Sequence, residues 1–490
     1  MLSAIIFLPV VGALFIALLS HPEARTVKRV AAFFTFIPFV LSVILFCSFD
    51  QSGGIQFKEQ ALWISQIDVQ YFIGVDGISM PLVILSTFLG FLTVLISWKI
   101  ELRPKEYFAW LLILESSIIG VFCSLDLLLF FLFWEIEVIP MYFLISIWGG
   151  GRRAYSAMKY VLYTLLGSAL MLTGILTLYA TTGTFDMTVL SQQDYIGQFT
   201  AVIPVAAMFF LLFIGFAIKL PMFPFHTWLP DAHTDAPTAG SVMLAGLLIK
   251  MGGYGMIRLC VSIFPDVAKD YAPLLVGLAV FSIIYGAAVT LRQTDLKRLI
   301  AYSSVSHMGY VLLGIFALSS QSLTGATLQM VSHGLVTGLL FAMVGLVYDR
   351  THTRNIPELG GLAKQMPVIA IVFSVAGMAS LGLPGTCGFA AEFITFLGCF
   401  SSEIVPGIMI YTLIGVLGIV VTAGYILWLL ERVFYTEPKD RWSSLGDADG
   451  LEKVAIFTLV VSIFVVGIYP RILTNMIDAG IALMHLPMPT

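Results

Sequence analysis

Apolar stretches of about 20 residues recur along the whole chain and are separated by short polar segments. A stretch of about that length allows an α-helix to cross the hydrocarbon core of a bilayer, whereas a β-barrel would show short alternating segments. The pattern predicts an all-α polytopic membrane protein with about 14 transmembrane helices. The predicted spans are 1–20, 29–48, 78–98, 107–125, 127–149, 156–181, 200–220 with a continuation to about 230, 237–263, 273–291, 298–319, 324–348, 367–400, 405–432 and 453–470.

Two predicted spans contain residues that break helices. Lys219 is followed at once by Leu220 and Pro221, and the sequence GLPG at 382–385 lies midway along 367–400. Counted in chain order, these breaks fall in the seventh and twelfth spans, which are the fourth members of two consecutive groups, spans 4–8 and 9–13. Because each group has an odd number of spans, the two groups have opposite orientations. We therefore expect two inverted five-helix repeats with broken helices. We divide the chain into N-terminal spans with an outer-face hairpin (1–106), a first repeat (107–265), a second repeat (266–435) and a last span with a C-terminal amphipathic segment (436–490).

The positions of lysine and arginine predict the orientation of the spans. Most of the 25 Lys and Arg residues fall in alternate loops, and such loops face the cytoplasm. This places both termini on the outer side. One inner loop, 221–236, has no Lys or Arg and three prolines, so we expect it to be partly buried.

Two segments outside the spans are too apolar for simple solvated loops. Residues 61–73 partly alternate apolar and polar, as a half-buried strand does, and Gly53–Gly54 before them favours a hairpin. Residues 470–487 favour an amphipathic helix on the outer surface. We expect both segments to dock neighbouring subunits.

The composition excludes several classes of function. The chain is 59% hydrophobic and 11% charged, and its few scattered basic residues exclude a nucleic-acid surface. The five cysteines form no CxxC pair, so the sequence predicts neither a metal site nor an iron–sulfur ligand set in this chain. Residues 1–20 lack a basic n-region and are interpreted as the first span rather than a cleaved signal.

Three ionisable residues interrupt the apolar spans, namely Glu135, Lys219 and Lys250. An intramembrane charge is costly and usually serves ion or proton transfer. Because buried charges persist mainly when paired, we expect Glu135 to pair with Lys219 and to keep it protonated. The alternative is a static ion pair that only fixes helix packing.

Other polar residues are weaker candidates. His307 and His333 each lie in a polar stripe and suit a proton wire, although a satisfied core histidine is an equal alternative. Glu392, just beyond the second break, is a candidate terminal proton carrier or else a surface residue. Glu137 cannot share a helix face with Glu135 and is expected to face another helix or subunit, and Glu115 is expected to be a hydrogen-bonded packing residue.

The inner loop carries four further polar side chains. They are His226, Asp231, His233 and Asp235. Their spacing forms no compact metal motif. We expect Asp235 to cap the next helix, and a proton entrance near His226 and Asp231 is a weaker hypothesis.

Several motifs together resemble a known family. FPFHTWLPDAHTDAPTAGSVMLAGLLIKMGGYGMIR (223–258), LFWEIEVIPMYFLISIWG (132–149), GVDGIS (74–79), AYSSVSHMG (301–309) and GLPGTCGFAAEF (382–393) resemble the proton-pumping, antiporter-like subunits of respiratory complex I (NADH:quinone oxidoreductase). The APTAGSV step at 236–242 is more similar to subunit M than to its paralogues L and N. Sodium/proton antiporter and membrane-bound hydrogenase subunits share most of these motifs.

The resemblance implies which residues translocate protons. The protonatable residues of the family map onto Glu135, Lys219, Lys250 and Glu392, and its central histidines onto His307 and His333. It also implies a translocase subunit without a redox cofactor in a bacterial inner membrane, next to L- and N-type subunits. Partner subunits would carry FMN and iron–sulfur clusters, and quinone would be the substrate of the complex.

The sequence thus predicts a subunit that couples quinone reduction to outward proton pumping. The nearest alternative is a subunit of a sodium/proton antiporter or membrane-bound hydrogenase complex. A purely structural membrane scaffold is a third possibility, but such a scaffold gains nothing from buried charges and broken helices.

Overall fold

A computed structural model describes residues 1–20, 23–51, 53–192, 195–198, 200–484 and 486. Helices account for most of these residues, together with one two-stranded sheet. We label the main helices α1 (Leu2–Leu18), α2 (Ala24–Cys47), α3 (Met80–Ile96), α4 (Pro104–Cys123), α5 (Leu127–Trp148), α6 (Arg153–Thr182), α7 (Val205–Lys219), α8 (Trp228–Asp235), α9 (Thr238–Val261), α10 (Pro265–Thr290), α11 (Leu296–Phe316), α12 (Ser320–Thr351), α13 (Pro367–Ser380), α14 (Cys387–Phe400), α15 (Ile408–Tyr435), α16 (Gly450–Ile468) and α17 (Arg471–Ala482).

The helices match the predicted spans in position. In the described part of the chain, 10 helices are long and apolar enough to cross a membrane, and five shorter apolar helices of 14 to 17 residues lie among them. Their outward faces carry large exposed apolar side chains, such as Leu162, Leu417 and Val420, which an aqueous surface would not favour. The chain is therefore an integral membrane protein.

Three helices form the centre of the bundle. The 32-residue helix α12 is buried along its most apolar 18-residue window, and α9 and α11 are almost as deeply enclosed. α12 contacts α3, α9, α11, α13, α14, α16 and α17. Polar side chains in the central parts of these three helices consequently face protein rather than lipid.

Both predicted helix breaks are present. α7 ends at Lys219 and the next helix, α8, begins only at Trp228. Proline has no N–H and blocks the preceding turn, so Pro221 and Pro224 prevent a continuous helix. α13 ends at Ser380, and Gly382 then takes the left-handed conformation with a φ of 78°. Buried residues run along the whole of α8, which confirms that the inner loop 221–236 is largely enclosed.

The segment 61–73 is part of a hairpin, but it is not one strand. The strands are Gln56–Ile64 and Val69–Val75, and they pair antiparallel. A turn at Ser65–Ile67, followed by Asp68 in the left-handed conformation with a φ of 52°, separates them. The predicted strand was wrong because the alternation continues through the polar turn.

The C-terminal helix α17 is amphipathic, as expected, and it packs on its own chain. Its buried face includes Leu473, Met476 and Ile477. Gly77 lies directly against the Met476 carbonyl, and Gly480 approaches Gly77 in turn. The contact at Gly77 leaves no room for a side chain, so that position requires glycine, and the contact at Gly480 is tight. Residues 485 and 487 of the predicted segment lie outside the described residues.

Candidate functional site

Lys219 lies at the end of α7 in direct ion contact with Glu137 on α5. The lysine is 1% exposed and the carboxylate is fully buried. The Tyr160 hydroxyl on α6 donates to Glu137 Oε2 at 2.6 Å. The rings of Trp134 and Tyr160 flank the ammonium group, with centroids 5.4 and 5.6 Å from Nζ. Ion pairing, a hydrogen bond and cation–π contacts therefore compensate the burial of this charge.

The predicted pairing of Lys219 with Glu135 was wrong. Glu135 is partly exposed and lines a cavity between α5 and α6. Its Oε1 atom has no hydrogen-bond partner among the described residues. The two carboxylates point in different directions, as their spacing requires, but Glu137 is the one that faces the interior of the bundle.

The local sequence explains an irregularity at this position. α5 consists of two helical pieces, Leu127–Ile136 and Val138–Trp148, which meet at Glu137. Pro140 cannot donate to the Ile136 carbonyl and its ring crowds that group, so the regular hydrogen bonding is interrupted there. Because α5 is apolar on all sides, its sequence does not indicate which carboxylate turns toward the interior.

Lys250 lies fully buried in the middle of α9. Its ammonium group donates to the Ala245 carbonyl and lies 2.7 Å from His333 Nδ1 on α12. Two π-helical turns, Leu244–Leu248 and Met256–Val261, flank it. Such turns are rare, often occur at functional sites, and were not predicted from the sequence.

Beyond His333, the contacts continue to α14. The rings of His333 and His307 have centroids 5.6 Å apart. His307 Nδ1 lies 3.3 Å from Glu392 Oε1, and Ser380 Oγ lies 3.3 Å from His307 Nε2. A small polar cavity between α11, α12, α13 and α14 borders both histidines and Glu392.

Four predicted residues thus form one contiguous row, in the order Lys250, His333, His307 and Glu392. The alternative reading of Glu392 as a surface residue was wrong, since only 4% of it is exposed. Gly382 makes this possible, because a side chain at that position would come within 3.0 Å of Glu392 Oε2.

The inner loop residues have separate structural partners. Asp231 accepts from Lys159 Nζ at 2.7 Å, and Asp235 accepts from Ser156 Oγ at 2.6 Å. Asp235 does not cap α9, whose first turn has no side-chain cap, so that prediction was wrong. The ring of His233 stacks on Phe341 at 4.5 Å.

Two more buried ionisable groups differ from expectation. Both Glu115 oxygens lack hydrogen-bond partners among the described residues, and the carboxyl group packs against Gly90. Its predicted hydrogen-bonded role was therefore wrong. Lys297 precedes the predicted span 298–319, but it is buried in the first turn of α11 and donates to the Ala236 carbonyl at 2.6 Å. The described residues contain no cluster of His, Cys, Asp and Glu suited to a metal ion.

Comparison with known proteins gives a consistent assignment. The family described as "NADH:quinone oxidoreductase/Mrp antiporter, TM" matches residues 124–418. NADH-quinone oxidoreductase subunit M from Rhodobacter capsulatus is 44% identical, over 98% of this chain and 96% of that protein. A chain of respiratory complex I from Thermus thermophilus with bound NADH has a TM-score of 0.87 at 28% identity, over 99% of this chain and all of that one.

A second structural likeness concerns the fold alone. A chain of the Mrp complex from Dietzia sp. has a TM-score of 0.85 at 20% identity, over 99% of this chain and 97% of that one. The matched region contains α5 to α14 and every residue of the row that leads from Lys250 to Glu392. The chain therefore belongs to the NADH:quinone oxidoreductase/Mrp antiporter family of transmembrane proteins.

Proposed function

We propose that this chain is a proton-translocating, M-type subunit of an NADH:quinone oxidoreductase and couples quinone reduction in partner subunits to outward proton pumping. One observation carries the proposal above all. The side chains of Lys250, His333, His307 and Glu392 follow one another as a row in the bundle centre. Burying so many ionisable groups within a membrane is costly, and proton relays are a common reason for it.

The row has the chemistry of a relay. A protonated Lys250 donates toward His333 Nδ1 across 2.7 Å. The polar cavity borders both histidines, and we propose that a water molecule in it links them. The 3.3 Å separation of His307 Nδ1 and Glu392 Oε1 completes the transfer. Imidazole both accepts and donates a proton near neutral pH, so each histidine returns to its starting state after one transfer and reorientation.

Lys219 acts as the switch that loads this row. In contact with Glu137 it is held as a cation, and separation from that carboxylate favours release of the proton. Glu135 remains a proposed proton-carrying group, at the cavity between α5 and α6. Protons enter from the inner side toward Lys219 and Lys250.

The proposed architecture follows the sequence division. Fourteen spans comprise N-terminal spans (1–106), two inverted repeats (107–265 and 266–435) and a last span with α17 (436–490), with both termini outside a bacterial inner membrane. The breaks after α7 and α13 occupy the same place in the two repeats, which supports this arrangement. L- and N-type subunits are the proposed neighbours, and FMN and iron–sulfur clusters belong to other partners.

The test measures quinone-coupled proton uptake by inverted membrane vesicles that contain the assembled complex. Lys219→Ala should abolish pumping. Lys219→Arg should also abolish it, because arginine hardly deprotonates. If the arginine variant pumps like the wild type, Lys219 is only a fixed positive charge and Lys250 becomes the candidate switch.

Sodium dependence separates the main rival from this proposal. A sodium/proton antiporter subunit requires sodium for proton movement and needs no quinone. Pumping that persists without sodium and stops with a quinone-site inhibitor supports the NADH:quinone oxidoreductase assignment. The opposite result supports the rival, and no proton movement under either condition supports a scaffold.

A further inference from the structure

Three buried hydroxyl groups lie beside the proposed relay without a role in it. They belong to Tyr310 on α11 and to Thr422 and Tyr425 on α15. Each residue is at most 1% exposed. None of the three hydroxyl oxygens has a hydrogen-bond partner among the described residues.

The three groups converge on one place between α11 and α15. The Tyr310 hydroxyl lies over Gly418, one turn before Thr422, and a side chain at that glycine would collide with it. Both tyrosine hydroxyl groups lie near Thr422, just beyond normal hydrogen-bond distance, and near Glu392. The Tyr310 ring also lies 5.7 Å from that of His307, centroid to centroid.

Two serines extend this cluster along α11. Ser306 is a polar neighbour of Tyr310, and Ser303 is a polar neighbour of Tyr425. Their hydroxyl groups donate to the carbonyls of Ile283 and Ile300, at 2.9 and 2.7 Å. Each serine oxygen therefore retains lone pairs that can accept a hydrogen bond.

Buried tyrosine hydroxyls normally find a partner, and buried water commonly supplies one where several polar groups meet. Tyrosine and threonine hydroxyls each donate one hydrogen bond and accept others. A cluster with unmet donors and acceptors is thus suited to bind water.

We propose that Tyr310, Thr422 and Tyr425 bind water and form a hydrated branch that connects Glu392 with the end of the bundle where α11 begins and α15 ends. This inference rests on the proposed function and adds a second route to its terminal carboxylate. By the lysine and arginine distribution, that end faces inward. Ser303 is seven residues into α11, about 10 Å along the helix axis from its first residue at 1.5 Å per residue.

Proton movement along this branch needs no other reactant. Each water or hydroxyl donates one proton to a neighbouring lone pair as it accepts another on its own oxygen. The last proton binds to the Glu392 carboxylate, and the hydroxyl groups end uncharged. Reorientation of the hydroxyls then restores the starting arrangement.

The first test locates the water directly. High-resolution cryo-electron microscopy of the assembled wild-type complex should show ordered water between the Tyr310 and Tyr425 hydroxyl groups. In the variant Tyr310→Phe/Tyr425→Phe, which keeps both rings, this water should be lost. A dry cluster in the wild type overturns the proposal.

The second test measures the initial rate of quinone-coupled proton uptake by inverted vesicles. The double phenylalanine variant should be slower by about 10²-fold or more, the lower end of what a positioned proton-transfer group contributes. Thr422→Val removes a hydroxyl at nearly constant volume and should slow uptake in the same direction. Tyr411→Phe, also on α15 but at an apolar surface cavity, is the matched control and should pump normally.

The outcomes separate this branch from the underlying function. If the wild type pumps, Lys219→Ala does not, and the double phenylalanine variant equals the wild type, the branch is refuted and the proposed function stands. If wild-type vesicles do not pump at all, the proposed function fails first. A slowed double variant that retains its ordered water assigns the two tyrosines to packing and also overturns the branch.

Discussion

Replacing Glu137 with glutamine removes the charge that Lys219 contacts. The substitution retains the shape of the side chain, and the Tyr160 hydroxyl, 2.6 Å from Oε2 in the wild type, can still donate to the amide oxygen. The ammonium group of Lys219 would then be an uncompensated buried cation. We expect Lys219 to release its proton in response and the switch to stay in its neutral state.

The burial of the Lys219–Glu137 pair sets how strongly the substitution shifts the protonation of Lys219. The lysine and carboxylate side chains are 1% and 0% exposed, and removing one partner of such a pair costs about 3–5 kcal/mol. At about 1.4 kcal/mol for each factor of ten, this shifts the balance between charged and neutral lysine by roughly two to four powers of ten. Proton pumping by the Glu137→Gln variant should consequently fall below detection.

Glu135→Gln is the comparison variant, because Glu135 is a proposed proton-carrying group that forms no ion pair with Lys219. It lies two residues away on the other face of α5, makes no hydrogen bond through Oε1, and leaves the Lys219–Glu137 contact intact. Its effect on pumping should be clearly smaller. Both variants are compared by proton uptake in inverted vesicles, with native gels to verify assembly. Loss of pumping in Glu135→Gln with normal pumping in Glu137→Gln would refute the assignment of Glu137 as the partner of Lys219.

Three further predictions concern other contacts. Asp76→Asn should lower the temperature of thermal inactivation, since it leaves Arg258, 2.6 Å away, without its partner. Burial raises the pKa of Asp76, but the Arg258 charge and two backbone N–H groups hold it below its ordinary value of 3.8. The ionised Asp76 therefore stabilises the fold at neutral pH, and this stabilisation is lost as the pH falls through the lowered pKa. Thermal scans at several pH values will detect the loss. Gly77→Ala should displace α17 and weaken the complex on native gels, whereas unchanged migration would show that the contact tolerates a methyl group. His333→Ala should stop pumping without loss of assembly, because it isolates Lys250 from the rest of the row, and normal proton uptake would refute the row as a relay.

The sequence determined the parts of this protein that depend on local chemistry. The length of each apolar stretch sets the position of a helix, since backbone groups in lipid must be satisfied within the segment. Pro221 and the GLPG sequence at 382–385 set the two breaks, because proline lacks an N–H and glycine takes left-handed conformations. The cost of burying charge identified Lys219 and Lys250, and the second helix break pointed to Glu392, before any contact was known.

Only the tertiary structure decided which of these residues meet. α5 is apolar on all sides, so its rotation depends on its packing against α4 and α6, and that packing turned Glu137 toward Lys219 instead of Glu135. The row from Lys250 to Glu392 joins residues more than 140 positions apart, on α9, α11, α12 and α14. Sequence periodicity shows which face of one helix is polar. Which faces of two helices meet across a bundle depends on how all their side chains pack together.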